Sequence, residues 1–257
     1  MDSLEQIAAR HDTDKPDHPF YLENYERRFG ALRDQQLSLL ELGIKRGGSL
    51  LMWRDYFQNA TIVGLDINPA QVDDPTGRIH IYQGLQNDNE LLNRLAKERA
   101  PNGFDIIIDD CAHIGVLARA SFACLFDNHL KTGGMYMIED WGTGYWDRWV
   151  DGIGYRSKQK EFNSGLYRLT RIIARLRQSR IAESMPLAPA ILSRLKAVVL
   201  RLQFNNHNYG MAGFVKELVD EFSVPDTTDP KFEILPARRP RIREMYMSPD
   251  HLFIVKA

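Results

Sequence analysis

The sequence predicts an α/β fold: a doubly wound, mostly parallel seven-stranded sheet that ends in a C-terminal antiparallel hairpin. Up to Glu139, short apolar runs that end in acidic or glycine residues alternate with segments of helical spacing. Such alternation is typical of parallel βαβ units. Near the C-terminus, only Ser248-Pro249-Asp250 separates two strand-like runs. That turn chemistry indicates a hairpin.

Each element of this prediction has its own segment. The five parallel strands are expected at Ser38–Gly43, Thr61–Asp66, Ile79–Gln83, Phe104–Asp109 and Gly134–Glu139, and the hairpin strands at Ile242–Met247 and His251–Lys256. Helical spacing predicts helices at Ser49–Gln58, Asp88–Glu98 and Gly115–Leu130. The second and fourth strands are apolar on both faces, as a sheet covered by helices on both sides requires.

The composition is that of an ordinary globular protein. The chain has 257 residues, of which 44% are hydrophobic and 26% charged, and this suits a single domain over residues 1–257 with one insertion. The formal net charge of −1 gives no electrostatic bias toward nucleic acid, so no nucleic-acid partner is expected. No apolar run approaches the roughly 20 residues that span a bilayer. The charged N-terminal residues also lack the apolar centre of a signal peptide.

Two cysteines, Cys111 and Cys124, bear on the cellular compartment. The chain has no other cysteine and no C-x-x-C spacing, so neither a disulfide framework nor a zinc site is expected. Such sparse use of cysteine fits a reducing, cytoplasmic setting.

A basic segment interrupts the βα alternation from Trp141 to about Phe204. Between Arg148 and Arg201 it holds twelve lysines and arginines against Asp151, Glu161 and Glu183, a net charge of +9. Amphipathic helices are predicted at Gly165–Arg180 and Ala188–Leu202. Three interpretations stay open: a solvated basic face, a substrate lid, and a subunit contact in a homo-oligomer.

A glycine-containing loop joins the first predicted strand to the first helix and reads Glu41-Leu42-Gly43-Ile44-Lys45-Arg46-Gly47-Gly48-Ser49. Glycines allow a tight turn and a close approach of the backbone to a ligand. The helix N-terminus behind them offers free N–H groups. Ligands of open α/β sheets bind at this edge, outside the carboxyl ends of the strands. The spacing differs from G-x-G-x-x-G, which disfavours an NAD oxidoreductase.

Asp66 strengthens the prediction of a ligand site at this loop. It ends the second strand, 23 residues after Gly43, and a carboxylate there can accept hydrogen bonds from both hydroxyls of a ribose. The alternative is a helix cap, because Asn68-Pro69 follows. Gln83 ends the third strand at the equivalent level, where an adenine ring would lie.

Acidic side chains follow the next two strands. Asp109 and Asp110, with His113 close behind, end the fourth strand, and Glu139 and Asp140 end the fifth. Neighbouring strand ends bring these groups together, and clustered anions repel one another unless a cation neutralises them. Oxygen ligands favour magnesium, manganese or calcium. The set therefore predicts a metal site, although any one carboxylate could be a helix cap and His113 a structural histidine.

These motifs resemble those of the magnesium-dependent sugar O-methyltransferases that modify macrolides and related glycosides. The resemblance begins with Thr13-Asp14-Lys15, followed by His18, Tyr21, Tyr25 and Glu26, and continues through Leu40–Phe57, Ile62–Ile67, Ile106–Ile114 and Leu130–Trp146. It covers most of the chain outside the stretch from about Val150 to Asn205. The combination of motifs is specific, whereas each motif alone is not.

The resemblance implies a Rossmann-like class I methyltransferase fold, S-adenosylmethionine and Mg²⁺ or another divalent cation as cofactors, and a sugar or glycoside hydroxyl as acceptor. It implies metal ligands at Asp110, Glu139 and Asp140, and a general base at His113. It also implies a cofactor pocket formed by Thr13, Lys15, Glu41, Gly43, Ser49, Asp66, Gln83 and Asp109.

The chain departs from the family pattern in two places. Where the family has Asp-Asp-Gly-Ser-His, Cys111 and Ala112 replace the Gly-Ser step, which removes a hydroxyl and brings a larger side chain into the turn. The family's Thr-Ser-Tyr after the Glu-Asp pair is here Thr143-Gly144-Tyr145. Neither departure changes the carboxylates or the histidine.

Other functions stay open on the sequence. A catechol-type methyltransferase would use the same metal chemistry on a phenolic acceptor. A cephalosporin-hydroxylase-like protein would share the fold and catalyse a different reaction. In a non-enzymatic binding module the basic segment would be the functional surface, and loss of the carboxylates would change nothing.

Overall fold

Seven strands form one mixed sheet. They are β1 (Ser38–Leu42), β2 (Thr61–Asp66), β3 (Ile79–Gln83), β4 (Phe104–Asp109), β5 (Leu130–Glu139), β6 (Ile242–Met247) and β7 (His251–Lys256). Their order across the sheet is β3-β2-β1-β4-β5-β7-β6. Strands β1 to β5 pair in parallel, while β7 is antiparallel to both β5 and β6. The predicted fold class is confirmed, with β5 beginning at Leu130 rather than Gly134.

The computed structural model describes residues 2–18, 20–153, 164–177, 179, 187–203, 209–223 and 239–257. The chain divides into one unit of Met1–Ile153 with Asn208–Ala257 and another of Gly154–His207. A single domain with an insertion at about 141–204 stays a prediction, and residues 154–163, 178, 180–186 and 204 of that insertion lie outside the described residues. Within the described ranges, no helix has the length and apolar character needed to cross a membrane.

Eight α-helices are described: α1 (Leu4–Ala8), α2 (Tyr21–Phe29), α3 (Gly48–Tyr56), α4 (Asn89–Arg99), α5 (Gly115–His129), α6 (Ser164–Arg177), α7 (Ala188–Gln203) and α8 (Gly210–Phe222). The predicted helices correspond to α3 through α7, although residues 178 and 180 of the predicted Gly165–Arg180 are not described. Helices α1, α2 and α8 were missed. The signal for α1 was present, because Ser3 and Gln6 form a capping box.

Helices cover both faces of the sheet, so a core lies on each side. Along β1, Leu40 and Leu42 face the core beneath α4, α5 and α8, while Leu39 faces the core beneath α1, α2 and α3. This alternation follows from the two-residue period of a strand. Burial on both faces explains why the parallel strands are nearly continuous apolar runs.

The switch point of this topology lies between β1 and β4. The chain runs from β1 outward through β2 and β3, then returns to the other side of β1 at β4. Leu42 pairs with Asp109 in the register of these two strands, so the residues that follow them, Gly43 and Asp110, meet at the carboxyl edge. Open α/β sheets bind their ligands at such a point.

Candidate functional site

Two adjoining cavities lie at this carboxyl edge. The loop cavity, of about 370 Å³, is lined by residues of the 12–17 segment and of the glycine loop, including Thr13, Lys15, Gly43 and Ser49. The acidic cavity, of about 260 Å³, is lined by residues including Asp66, Asp110, His113, Glu139 and Asp140. Asp14, Gly43, Lys45 and Asp110 line both cavities. A larger cavity of about 630 Å³ lies around α1 and α2; it shares His18 with the acidic cavity but is lined by none of the predicted site residues.

The glycine loop and the loop after β4 touch each other. Gly43 has φ of +83°, and a Cβ added there would lie 2.1 Å from the carbonyl oxygen of Asp110. The N–H of Gly43 donates to Leu65, and that of Asp110 donates to Leu42. Gly43 is therefore required both by its backbone conformation and by the space that Asp110 occupies.

Asp66 holds the glycine loop from the neighbouring strand. Its Oδ2 accepts hydrogen bonds of 2.9 Å from the backbone N–H groups of both Ile44 and Lys45, and its Oδ1 accepts one of 2.8 Å from Asn68. The carboxylate is nearly buried yet still lines the acidic cavity. Each carboxylate oxygen has more than one acceptor site, so Asp66 can support the loop and still accept a ligand hydroxyl.

Glu41 lies beneath the loop and is completely buried. Its carboxylate accepts hydrogen bonds of 2.7 Å from the Ser49 hydroxyl and 3.3 Å from the Trp53 indole. Burial raises the pKa of Glu41, and the charge of Lys15 opposes that shift. The structure thus gives Glu41 a place in the support of the loop, and it brings Ser49 and Lys15 to the cavity wall.

Besides the buried Glu41, two further predicted cofactor residues, Gln83 and Asp109, lie outside both cavities as described. The exposed Gln83 donates a 3.2 Å hydrogen bond to the carbonyl of Ile67. Asp109 is buried and accepts hydrogen bonds from Ser121 at 3.0 Å and Tyr136 at 3.1 Å. Burial raises the pKa of Asp109. Position at a strand end did not decide which aspartate faces the ligand edge, because successive side chains point to opposite faces.

Gln86, which sequence reasoning missed, supports the turn after β4. Its amide nitrogen donates a hydrogen bond of 3.2 Å to Asp109, and its amide oxygen accepts one of 3.1 Å from the backbone N–H of Ala112. The turn that carries the Cys111-Ala112 departure is thus held by a buried side chain. One amide satisfies both a buried carboxylate and a backbone donor.

Lys15 lies at the centre of the acidic residues. Its Nζ is 2.5 Å from Oε1 of Glu139, 3.0 Å from Oδ2 of Asp110 and 3.5 Å from Oε1 of Glu41, and its side chain is only 1% exposed. Burial alone would lower the pKa of Lys15, but the three carboxylates together raise it well above its ordinary value. The lysine therefore remains an ammonium ion that neutralises part of the cluster.

His113 lies between the two aspartates on the cavity side. Its Nε2 is 3.7 Å from Oδ1 of Asp110 and 3.5 Å from Oδ2 of Asp140. Burial and the charge of Glu139 raise the pKa of Asp110 to about 7. His113 and Asp140 have φ of +49° and +51°, a left-handed conformation that non-glycine residues adopt at a cost of about 1–3 kcal/mol.

Helix α2 supplies two hydroxyl groups to this cluster. Tyr21 donates to Oδ1 of Asp140, and Tyr25 donates to Oε1 of Glu139. Both rings also pack against the buried His251. The two tyrosines belong to the motif quoted above, yet sequence reasoning gave them no role, because nothing in the spacing shows which carboxylate a distant helix meets.

The predicted metal ligands fall into two groups that share Asp110. Asp110, His113 and Asp140 place ligand atoms within 4.8 Å of one another, and so do Glu41, Asp110 and Glu139. Glu139 already accepts hydrogen bonds from Lys15 and Tyr25. By contrast, Oδ1 of Asp110 and Oδ2 of Asp140 lie near Nε2 of His113. Carboxylate oxygens are the donors that Mg²⁺ prefers. A divalent cation therefore fits best on the Asp110–Asp140 side.

The segment after β5 holds the backbone of His113. The carbonyl oxygen of His113 accepts hydrogen bonds of 3.2 Å from the hydroxyl of Thr143 and 3.0 Å from the indole of Trp149. Asp151 in turn accepts hydrogen bonds from backbone N–H groups in the first turns of α5 and α8, those of Gly115 and Met211. The first part of the basic segment is thus built into the wall beside His113.

The sheet order, the glycine loop and the carboxylates at the ends of β4 and β5 together define a Rossmann-like fold of the class I methyltransferases. No protein-family model matches the chain. MycE methyltransferase from the mycinamycin biosynthetic pathway, solved with Mg, SAH and mycinamycin VI, shares this fold. It has a TM-score of 0.63 and 28% identity, over 99% of this chain and 54% of MycE.

Sequence relatives point the same way. Mycinamicin VI 2''-O-methyltransferase of Micromonospora griseorubida is 41% identical over 152 residues, which are 56% of this chain and 37% of that protein. L-olivosyl-oleandolide 3-O-methyltransferase of Streptomyces antibioticus is 38% identical over 152 residues, 56% of this chain and 38% of that protein. The resemblance to sugar O-methyltransferases is confirmed, although the alignment spans well under half the length of these relatives.

Proposed function

We propose that this chain is an S-adenosylmethionine-dependent and divalent-metal-dependent O-methyltransferase that acts on a hydroxyl of a sugar or glycoside. The observation that carries the proposal is the meeting of Asp110, His113 and Asp140 in a cavity that adjoins the glycine loop. The relatives, which are named as O-methyltransferases of mycinamicin VI and of L-olivosyl-oleandolide, favour a glycoside over a phenolic acceptor.

The loop cavity suits the cofactor. S-adenosylmethionine would supply the methyl group there as a sulfonium electrophile. Asp66 can accept a hydrogen bond from its ribose across the shared edge of the adjoining acidic cavity, whose wall Asp66 lines. The lack of side chains at Gly43 and Gly48 lets the glycine loop pack closely against the backbones of Asp110 and Asp12, which form the walls of the loop cavity. The shared wall at Asp110 and Gly43 keeps the donor beside the acidic cavity. Alignment of donor and acceptor can contribute several powers of ten to the rate.

The acidic cavity suits the metal and the acceptor hydroxyl. Asp110 and Asp140 would hold the divalent cation, with the third predicted ligand, Glu139, in the same wall. When bound, such a cation supplies a Lewis acid that makes a coordinated hydroxyl more acidic. His113 would take the hydroxyl proton at Nε2, which faces both aspartates. Lys15 and Tyr21 hold the carboxylates in place.

The first part of the basic segment would shape the acceptor side. The indole of Trp149 donates a hydrogen bond to the carbonyl of His113. Trp146, Val150 and Ile153 are more than half exposed. We propose that residues 141–153 cover the acceptor. A cytoplasmic setting and the absence of a nucleic-acid partner also remain proposals, which rest on the cysteine use and the net charge.

Replacing Asp66 by alanine is expected to weaken S-adenosylhomocysteine binding roughly 10- to 100-fold, because a hydrogen bond to a charged group contributes about 1.5–3 kcal/mol. Calorimetry measures the effect. Asp74→Ala is the matched control, since Asp74 also bonds backbone N–H groups, those of Thr76 and Ile79, but lines neither cavity as described. Tight binding of NAD, with no binding of S-adenosylmethionine or S-adenosylhomocysteine, would contradict the proposal.

Chelation is expected to abolish methyl transfer, and added Mg²⁺ to restore it. The assay uses labelled S-adenosylmethionine with a panel of glycosides, and with a catechol for comparison. The physical reason is that a sugar hydroxyl is too weak an acid to react without activation. Full activity in excess EDTA would remove the metal from the mechanism. Methyl transfer to the catechol and to none of the glycosides would mean that the acceptor is a phenol.

A further inference from the structure

Helices α6 and α7 pack against each other in the unit formed by Gly154–His207. Thr170 and Ile173 of α6 are buried, as is Val199 of α7. These side chains mark the packed side of each helix. No part of the proposed methyl-transfer chemistry uses this helix pair.

Each helix also carries a strip of exposed apolar side chains beside its packed side. On α6 the strip is Leu169, Ile172 and Leu176; on α7 it is Ile191, Leu195 and Val198, preceded by Leu187. All seven are between 41% and 72% exposed. Spacings of three and four residues place each strip on one helical face. Exposed apolar side chains grouped in this way indicate an interaction surface.

The charge of the helix pair has one sign. Neither Ser164–Arg177 nor Ala188–Gln203 contains an Asp or Glu, whereas together they contain Arg168, Arg171, Arg175, Arg177, Arg194, Lys196 and Arg201. The four arginines of α6 are exposed. Apolar strips flanked by cations, without any carboxylate, are typical of helices that lie in the plane of a membrane surface.

We propose that the α6–α7 pair binds an anionic lipid surface, with the apolar strips in the headgroup region and the arginines on the lipid phosphates. Charge decides between the possible occupants. A second copy would bring seven cations against seven, and like charges repel. Nucleic acid would attract the cations but leave the apolar strips in water. An anionic bilayer surface satisfies both features at once.

Flotation of the full chain with vesicles tests this proposal. Vesicles of equimolar phosphatidylglycerol and phosphatidylcholine are expected to carry the protein, and vesicles of phosphatidylcholine alone are not. Added salt is expected to weaken binding by screening. Changing Arg168, Arg171 and Arg175 to glutamine is expected to lower the partition coefficient on the order of 100-fold, since each cation contributes about 1 kcal/mol near such a surface.

A second variant tests the apolar strips, and a third serves as its control. Leu169→Gln, Ile172→Gln and Ile191→Gln together are expected to abolish flotation. The same change at Val219, Phe222 and Met247, which are exposed outside the pair, is expected to leave it intact. Equal flotation of all variants would overturn the proposal. Failure of the unmodified chain to bind the anionic vesicles would also overturn it. So would a dimer of the unmodified chain that dissociates in the variant at Leu169, Ile172 and Ile191 but not in its control.

Discussion

Replacing His113 by alanine is expected to slow methyl transfer about 10²- to 10⁴-fold, the usual contribution of a positioned base. Nε2 of His113 lies 3.7 Å from Oδ1 of Asp110 and 3.5 Å from Oδ2 of Asp140, and all three residues line the acidic cavity. Its removal leaves the hydroxyl proton without an acceptor in that position. Single-turnover transfer from S-adenosylmethionine measures the chemical step separately from binding and product release.

His80→Ala is the matched control for this variant, because His80 lies on β3 and lines neither cavity as described. The affinities for S-adenosylhomocysteine and Mg²⁺ distinguish a base from a metal ligand. A base leaves both affinities nearly unchanged. A large loss of Mg²⁺ affinity in His113→Ala would instead make His113 a ligand, and a near-normal rate would remove it from the chemistry.

Replacing Lys15 by methionine is expected to destabilise the protein by about 3–5 kcal/mol, because removing one partner of a buried ion pair leaves uncompensated charge. Glu41 and Glu139 are buried beside the lost ammonium, and Asp110 is close by. Mg²⁺ is expected to restore part of the lost stability, because Glu41, Asp110 and Glu139 place ligand atoms within 4.8 Å of one another and could hold a cation once the ammonium ion is gone. Thermal unfolding with and without Mg²⁺ measures both effects.

Lys131→Met provides the comparison for Lys15→Met. Lys131 pairs with Asp105 at the surface, where such pairs contribute about 0–1 kcal/mol, and its loss is expected to leave the Mg²⁺ response unchanged. If Lys15→Met does not fold, the double variant Lys15→Met/Glu139→Gln removes one carboxylate with the cation. An unfolding temperature equal to that of the unmodified chain would mean that Lys15 does not neutralise the cluster.

The sheet was predictable because each strand carries its own signal. Runs such as Thr61–Asp66 and Phe104–Asp109 are apolar and end in a carboxylate, so sequence alone indicated both the strand and the edge at which it ends. The glycine loop was predictable for a similar reason, since Gly43 follows β1 directly. These features depend on short stretches of sequence, so they could be predicted without knowledge of the tertiary structure.

The partners of the carboxylates were not predictable in this way. Lys15 reaches Glu139 across 124 positions of sequence, and Tyr25 reaches the same carboxylate across 114. The family resemblance therefore grouped Asp110, Glu139 and Asp140 as metal ligands, whereas the structure divides them around a lysine and a histidine. Contacts of this kind depend on how α2 and the 12–17 segment pack over the sheet edge, which no local periodicity encodes.

A substitution at Gly43 would affect two loops at once. A side chain at position 43 would displace the carbonyl of Asp110 and the Cα of Cys111 before it reached any ligand. We therefore expect a substitution of Gly43, which belongs to the glycine loop, to weaken binding of the proposed metal ion together with binding of the proposed cofactor. The two loops form one packed unit, so a substitution that moves either loop is expected to move the other.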